Sequence, residues 1–145
     1  MPLFLRRSRY GAATLATPLR VLLADDHEDI LDLLRLAFRI YGPHEVIATV
    51  SDGRKAVDEA IRQQPDLVVL DLMMPVLSGF EAVALIRTGS PRTRIAILSA
   101  LDDHDSRQRA MAAGADLFLV KGMVPREMVK VMTEAVLHTA AGAGA

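Results

Sequence analysis

From Arg20 onward the chain alternates short apolar runs with longer stretches in which apolar positions recur every three or four residues. The short runs are Val21 to Ala24, Val46 to Val50, Leu67 to Leu70, Ile95 to Leu98 and Leu117 to Val120. Most are continuously apolar rather than alternating, which predicts strands covered on both faces. The stretches between them have helical length, the first running from Ile30 to Tyr41 with Ile30, Leu33, Leu34, Ala37 and Phe38 on one stripe. Ser78 with Glu81 fits a capping box, Gly114 fits the end of the fourth helix, and Pro125 suits a first helical turn. Five strand–helix units with right-handed crossovers predict an α/β fold, a doubly wound parallel sheet of five strands with helices on both faces.

Outside that pattern, residues 1–19 show no sustained period and are expected to form a flexible arm ahead of a single domain over 20–138. Leu3-Phe4-Leu5 is too short for the apolar part of a secretory signal. Thr139 to Ala145 are small and Gly-rich, which predicts a fraying tail or the beginning of a linker, with no output domain after it.

Composition narrows the class. With 51% apolar and 24% charged residues the chain is expected to be a soluble globular protein, and its apolar runs fall far short of the ~20 residues of a membrane-spanning helix. It contains no cysteine, which excludes disulfides and thiolate metal sites and is compatible with a reducing compartment, so a cytoplasmic location is expected. The formal charge of −1 hides an asymmetry: without Arg6, Arg7, Arg9 and Arg20 the rest carries 13 basic against 18 acidic side chains. An acidic domain argues against direct binding to nucleic acid, which rests on clustered Lys and Arg.

Ligands of open α/β sheets bind beyond the carboxyl ends of the strands. There this sequence places Asp25-Asp26 after the first strand, Asp71 after the third, Ser99 after the fourth and Lys121 after the fifth. Asp25 or Asp26 could merely cap the following helix, and Lys121 could merely pair with an enclosed Asp71. Three carboxylates against one ammonium, however, would raise one another's proton affinity unless a cation were present. A hard dication with oxygen ligands answers that need, and magnesium, which takes one or two carboxylates plus a phosphate oxygen, fits best. Within such a site Asp71 is the candidate nucleophile toward a phosphoryl donor, with Lys121 and the Ser99 hydroxyl contacting the transferred oxygens. His27 is expected to be a solvent-facing residue at the helix start, and His44, His104 and His138 lack ligand spacing.

Val21-Leu22-Leu23-Ala24-Asp25-Asp26-His27, Asp71-Leu72-Met73-Met74-Pro75 with Gly79, Ser99-Ala100 and Lys121 together resemble the response-regulator receiver family, over about Arg20 to His138. The resemblance implies a flavodoxin-like (CheY-like) sheet in the order 2-1-3-4-5. It further implies phosphoryl transfer to Asp71 from a sensor histidine kinase or phosphotransfer protein, in the presence of Mg2+. Asp26 would bind the metal directly, Asp25 mainly through water, and the Met73 backbone carbonyl would supply another ligand. Ser99 and Phe118 fall at the positions of the family's switch pair, in which the hydroxyl moves toward the phosphoryl group and the aromatic turns inward.

Gly122 departs from the proline that often follows the family's lysine, which puts the usual cis peptide in doubt; the Lys-Gly pair resembles receivers that precede helix-turn-helix domains. The chain is accordingly expected to be either a stand-alone receiver or the amino-terminal part of a longer regulator. Apolar Met73 and Leu101 stand where the family often carries polar residues that tune hydrolysis, which predicts a long-lived phosphoform. Met111, Met123, Met128 and Met132 fall on the family's partner surface, formed by the fourth helix, fifth strand and fifth helix. Met123 and Met128 are expected to be exposed there and to support a homodimer. The expected product is a phosphoacceptor switch that catalyses only its own phosphorylation and dephosphorylation. A phosphorylation-independent interaction module is the chief competing class; an aspartate-nucleophile phosphatase would want an acid where Met73 stands, and a nucleotide-binding protein a glycine-rich loop where Asp25-Asp26-His27 stands.

Overall fold

The computed structural model describes residues 5–7, 13–15 and 18–142, with side chains described over 18–138. In chain order the elements are β1 (Leu5–Arg7), β2 (Ala13–Leu15), β3 (Arg20–Ala24), α1 (Glu28–Ile40), β4 (Glu45–Val50), α2 (Gly53–Gln63), β5 (Leu67–Leu70), α3 (Gly79–Gly89), β6 (Arg94–Ser99), α4 (His104–Ala113), β7 (Leu117–Val120) and α5 (Pro125–Gly142). β3 to β7 form one parallel sheet in the order β4-β3-β5-β6-β7, which is 2-1-3-4-5 counted over its own five strands.

Successive side chains of a strand point to opposite faces, so each buried strand feeds two cores. From β3, Leu22 and Ala24 pack beneath α2, α3 and α4 with Leu70, Ile86 and Ile97, while Val21 and Leu23 pack beneath α1 and α5 with Phe38, Val69 and Met132. The central strands β3 and β5 are buried throughout, apart from Arg20 at the start of β3, as the continuous apolar runs predict. The edge strands β4 and β7 are only partly covered, because one hydrogen-bonding side of each faces no neighbour.

Local punctuation is visible in atoms. Ser78 Oγ accepts from Glu81 N at 3.3 Å, Gly114 ends α4 with φ 122°, and α5 begins at Pro125. Gly122 takes φ +106°, a conformation that suits glycine, and the described residues contain no cis peptide. α1 starts at Glu28, two residues earlier than its apolar stripe suggests, because Glu28 and Asp29 supply a favourable acidic first turn.

One expectation needs correction. Met128 is buried at 3% exposure with Val129 and Met132, since those three positions form the sheet-facing stripe of α5, while Met111 is the exposed one and Met123 is half-buried. The expected arm over 1–19 and tail over 139–145 lie largely outside the described residues. Of those described, Leu5–Arg7 pairs antiparallel with Ala13–Leu15, Leu19 is buried in the α1–α5 core, and α5 continues to Gly142.

His44 links three elements on that side. Its ring stands edge-on to Phe38 with centroids 5.7 Å apart, and Nε2 lies 3.1 Å from Thr133 Oγ1 on α5. Thr133 donates its only hydroxyl proton to Val129 O at 2.7 Å, so it accepts from Nε2–H, while the buried Nδ1 has no hydrogen-bond partner, which disfavours a second ring proton. Burial lowers the His44 pKa from 6.5. The unfolded chain therefore takes up this proton first on acidification, and the stability His44 contributes is complete above 6.5 and lost as pH falls through its lowered folded value. The fall in melting temperature between about pH 7.5 and pH 5 is expected to be shallower in His44→Leu than in the parent chain; equal slopes would show that His44 does not carry it.

Candidate functional site

The site residues are held by extensions of the sheet ladder. Asp25 N donates to Val50 O at 3.1 Å, Asp71 N to Ala24 O at 3.0 Å and Lys121 N to Ser99 O at 2.7 Å. Each residue thus continues its strand by one step, and in-register strand ends bring the side chains to one edge. The loop after Asp71 is fixed by Gly79 N bonding Leu72 O at 2.9 Å and by Gly53 N bonding Pro75 O at 3.4 Å. Val76 within it has φ +69°, a strained setting for a β-branched residue.

Asp25 and Asp71 are each 2% exposed, as an acid directly after four apolar residues demands. Lys121 Nζ sits between them, 2.8 Å from Asp25 Oδ2 and 3.2 Å from Asp71 Oδ2. Met73 N approaches Asp71 Oδ1 at 3.3 Å. Neither Asp25 nor Asp26 serves as the helix cap: His27 occupies that position, and Asp25 Oδ1 instead accepts from His27 N at 2.9 Å.

Burial, and next the charge of Asp25, push the Asp71 pKa above its ordinary value, with Lys121 and the Met73 amide opposing. Burial pulls Lys121 down, but its hydrogen bond to Asp25 and the charges of both aspartates outweigh that and raise it. Two enclosed carboxylates around one ammonium, with half-exposed Asp26 beside them, leave an uncompensated negative charge. Asp25, Asp26, His27 and Asp71 each offer a ligand atom, all within 4.8 Å of one another, so the donor set fits a divalent cation.

Ser99 is fully buried at the end of β6, and its Oγ accepts from Leu101 N at 3.0 Å, which leaves its hydroxyl proton free to donate elsewhere. Phe118 is turned inward at 5% exposure in the α2–α3–α4 core. Arg107 of α4 covers it, with its guanidinium 4.7 Å from the ring centroid and Nη1 bonding the Phe118 carbonyl at 3.3 Å. Met73 and Leu101 are exposed at 63% and 40%.

Two participants escape a sequence reading. Arg107 has no signal beyond its place on a helix facing β7. His27 stands at the helix start with 65% side-chain exposure as expected, yet its Nδ1 lies 3.1 Å from Asp25 Oδ1 and 3.0 Å from Asp26 Oδ1.

A doubly wound sheet whose strand ends gather acids, a lysine and a buried hydroxyl defines a signalling receiver. The family model of the response regulator receiver domain matches residues 21–133, and the chain belongs to that family. It is 39% identical over 110 residues to the transcriptional regulatory protein PrrA of Mycobacterium tuberculosis, a match covering 76% of this chain and 46% of that protein. The chain thus spans about half the length of the curated relatives it matches. Among solved structures it superposes on the signal receiver domain of NarL from Mycobacterium tuberculosis with a TM-score of 0.80 at 28% identity, covering 83% of this chain and 98% of that one. A chain of the CheX-CheY-BeF3-Mg complex from Borrelia burgdorferi matches with a TM-score of 0.74 at 27% identity, over 79% of this chain and 86% of that one. This is a receiver domain of two-component response regulators, and phosphorylation on an aspartate is general to its family. No described helix is long and apolar enough to cross a membrane.

Proposed function

We propose that Asp71 is the phosphoacceptor of this receiver, whose domain spans 20–138, and that phosphorylation switches its affinity for a partner. The carrying observation is the Asp71 carboxylate, enclosed at the end of β5 with Lys121 Nζ 3.2 Å away. An Asp71 oxygen attacks the phosphorus of a phosphohistidine on a sensor kinase or phosphotransfer protein. The O–P bond forms, the P–N bond breaks, and the electron pair leaves with the imidazole, which takes up a proton. Lys121 holds one transferred oxygen and Ser99 donates to another. Magnesium, when bound by Asp26, Asp71 and the Met73 carbonyl with Asp25 acting through water, neutralises the phosphoryl oxygens; the Borrelia burgdorferi complex, which contains magnesium, supports that choice. Phe118 and Ser99 form the switch pair, and the face of α4, β7 and α5 is the surface for a partner or a second copy. The chain then acts in the cytoplasm and turns over no substrate beyond its own phosphoryl group.

Intact-protein mass after incubation with acetyl phosphate and magnesium should show one phosphoryl adduct, absent without magnesium and absent in Asp71→Asn. No adduct on the folded chain would favour a phosphorylation-independent interaction module. Exposed apolar Met73 also disfavours an attacking water, so the adduct should decay faster in Met73→Asn; an unchanged decay rate would refute that role.

A further inference from the structure

His27 follows the acid pair directly, and its ring is aimed by the backbone. The Asp25 side chain accepts the His27 amide at 2.9 Å, which closes a tight turn, and His27 makes no side-chain bond to the helix it precedes. The ring is therefore held over the two acids, with Nδ1 at 3.0 Å from Asp26 Oδ1 and 3.1 Å from Asp25 Oδ1. Donor atoms on adjacent corners of an octahedron with bonds of ~2.1 Å lie about 3 Å apart. His27 Nδ1 and Asp26 Oδ1 already stand at the spacing of two ligands of one ion.

Asp25 is poorly placed to be a direct ligand, because Lys121 holds its Oδ2 at 2.8 Å while the His27 amide holds Oδ1. That leaves Asp26, Asp71 and His27, whose ligand atoms lie within 4.8 Å of one another. Deepening the cation-site reading given above, on which it rests, we propose that His27 Nδ1 is a direct ligand of the divalent ion and shifts the site's preference from magnesium toward manganese and its first-row neighbours. The ion takes the place of the Nδ1 proton, and that proton resides on Nε2 at the exposed side of the ring. Imidazole suits the first-row transition metals, whose affinity for nitrogen donors exceeds that of magnesium. The rival arrangement is a ring that only hydrogen-bonds to the carboxylates and swings away when an ion enters.

Pulsed electron paramagnetic resonance of the full chain loaded with one equivalent of Mn2+ separates the two. Modulation from a directly bound imidazole nitrogen is expected in the parent chain and absent in His27→Asn. Titration of the free Mn2+ signal, with Mg2+ as competitor, should show the ratio of Mn2+ to Mg2+ affinity falling about tenfold or more in His27→Asn. Tight Mn2+ binding without nitrogen modulation, or an affinity ratio unchanged in His27→Asn, would overturn the role of His27 and leave the cation site standing. Failure of the parent chain to bind Mn2+, or binding unaffected by Asp26→Asn, would overturn the cation-site reading itself. His27 is exposed, so folding of His27→Asn is readily verified by an unchanged melting curve.

Discussion

Lys121→Met is expected to lose about 3–5 kcal/mol of folding stability at neutral pH, the range measured when one partner of a buried ion pair is removed. Lys121 is the cation lying within salt-bridge distance of both Asp25 and Asp71, and each of those is 2% exposed. Methionine fills the volume of the stem but leaves two enclosed carboxylates facing one another. The loss should shrink in two ways. Asp71 already holds its proton above the ordinary carboxylate value, so the folded state gains protons relative to the unfolded one as pH falls, and relative stability returns on acidification. Millimolar magnesium should also restore part of it, because an ion binding only the folded chain stabilises by mass action. Urea unfolding at neutral and acidic pH, with and without magnesium, reads both; an unchanged midpoint in Lys121→Met would mean that water already compensates the site.

Gly79→Ala is expected to cost about 1–3 kcal/mol or more, and to slow phosphorylation in the fraction that folds. A Cβ at Gly79 would lie 2.5 Å from the Asp71 carbonyl oxygen and 2.5 Å from the Leu72 Cα. Both obstacles are backbone, so no side-chain rotation relieves them, and the first turn of α3 must retreat from β5. The Gly79 N to Leu72 O bond is then stretched and Asp71 loses its setting. Urea denaturation measures the first effect and the rate of adduct formation the second. A variant with the parent's stability would show that the β5–α3 junction is looser than its 2.9 Å hydrogen bond indicates.

The sheet was legible because its strands are apolar without interruption: Leu67–Leu70 and Leu117–Val120 begin and end where the sequence pattern places them. Asp71, Ser99 and Lys121 were legible for the same reason, each being the first polar residue after, or the last residue of, such a run. What failed depended on direction rather than position. Met128 and Met111 are both apolar helix residues, and only the angle at which each helix meets the sheet decides that one is buried and the other exposed. His27 reads as a surface residue by composition, and its ring finds the acids only because the Asp25 side chain captures its amide. The partial exposure of β4 and β7 follows from strand order, which apolar runs alone do not contain.

The strained Val76 and the enclosed Asp25 and Asp71 all cost stability, on the order of 1–3 kcal/mol for the backbone setting alone. None of them is required by the two cores. A descendant released from signalling would therefore be under pressure to shed these features first, with glycine or asparagine at position 76 and amides or apolar residues at 25 and 71.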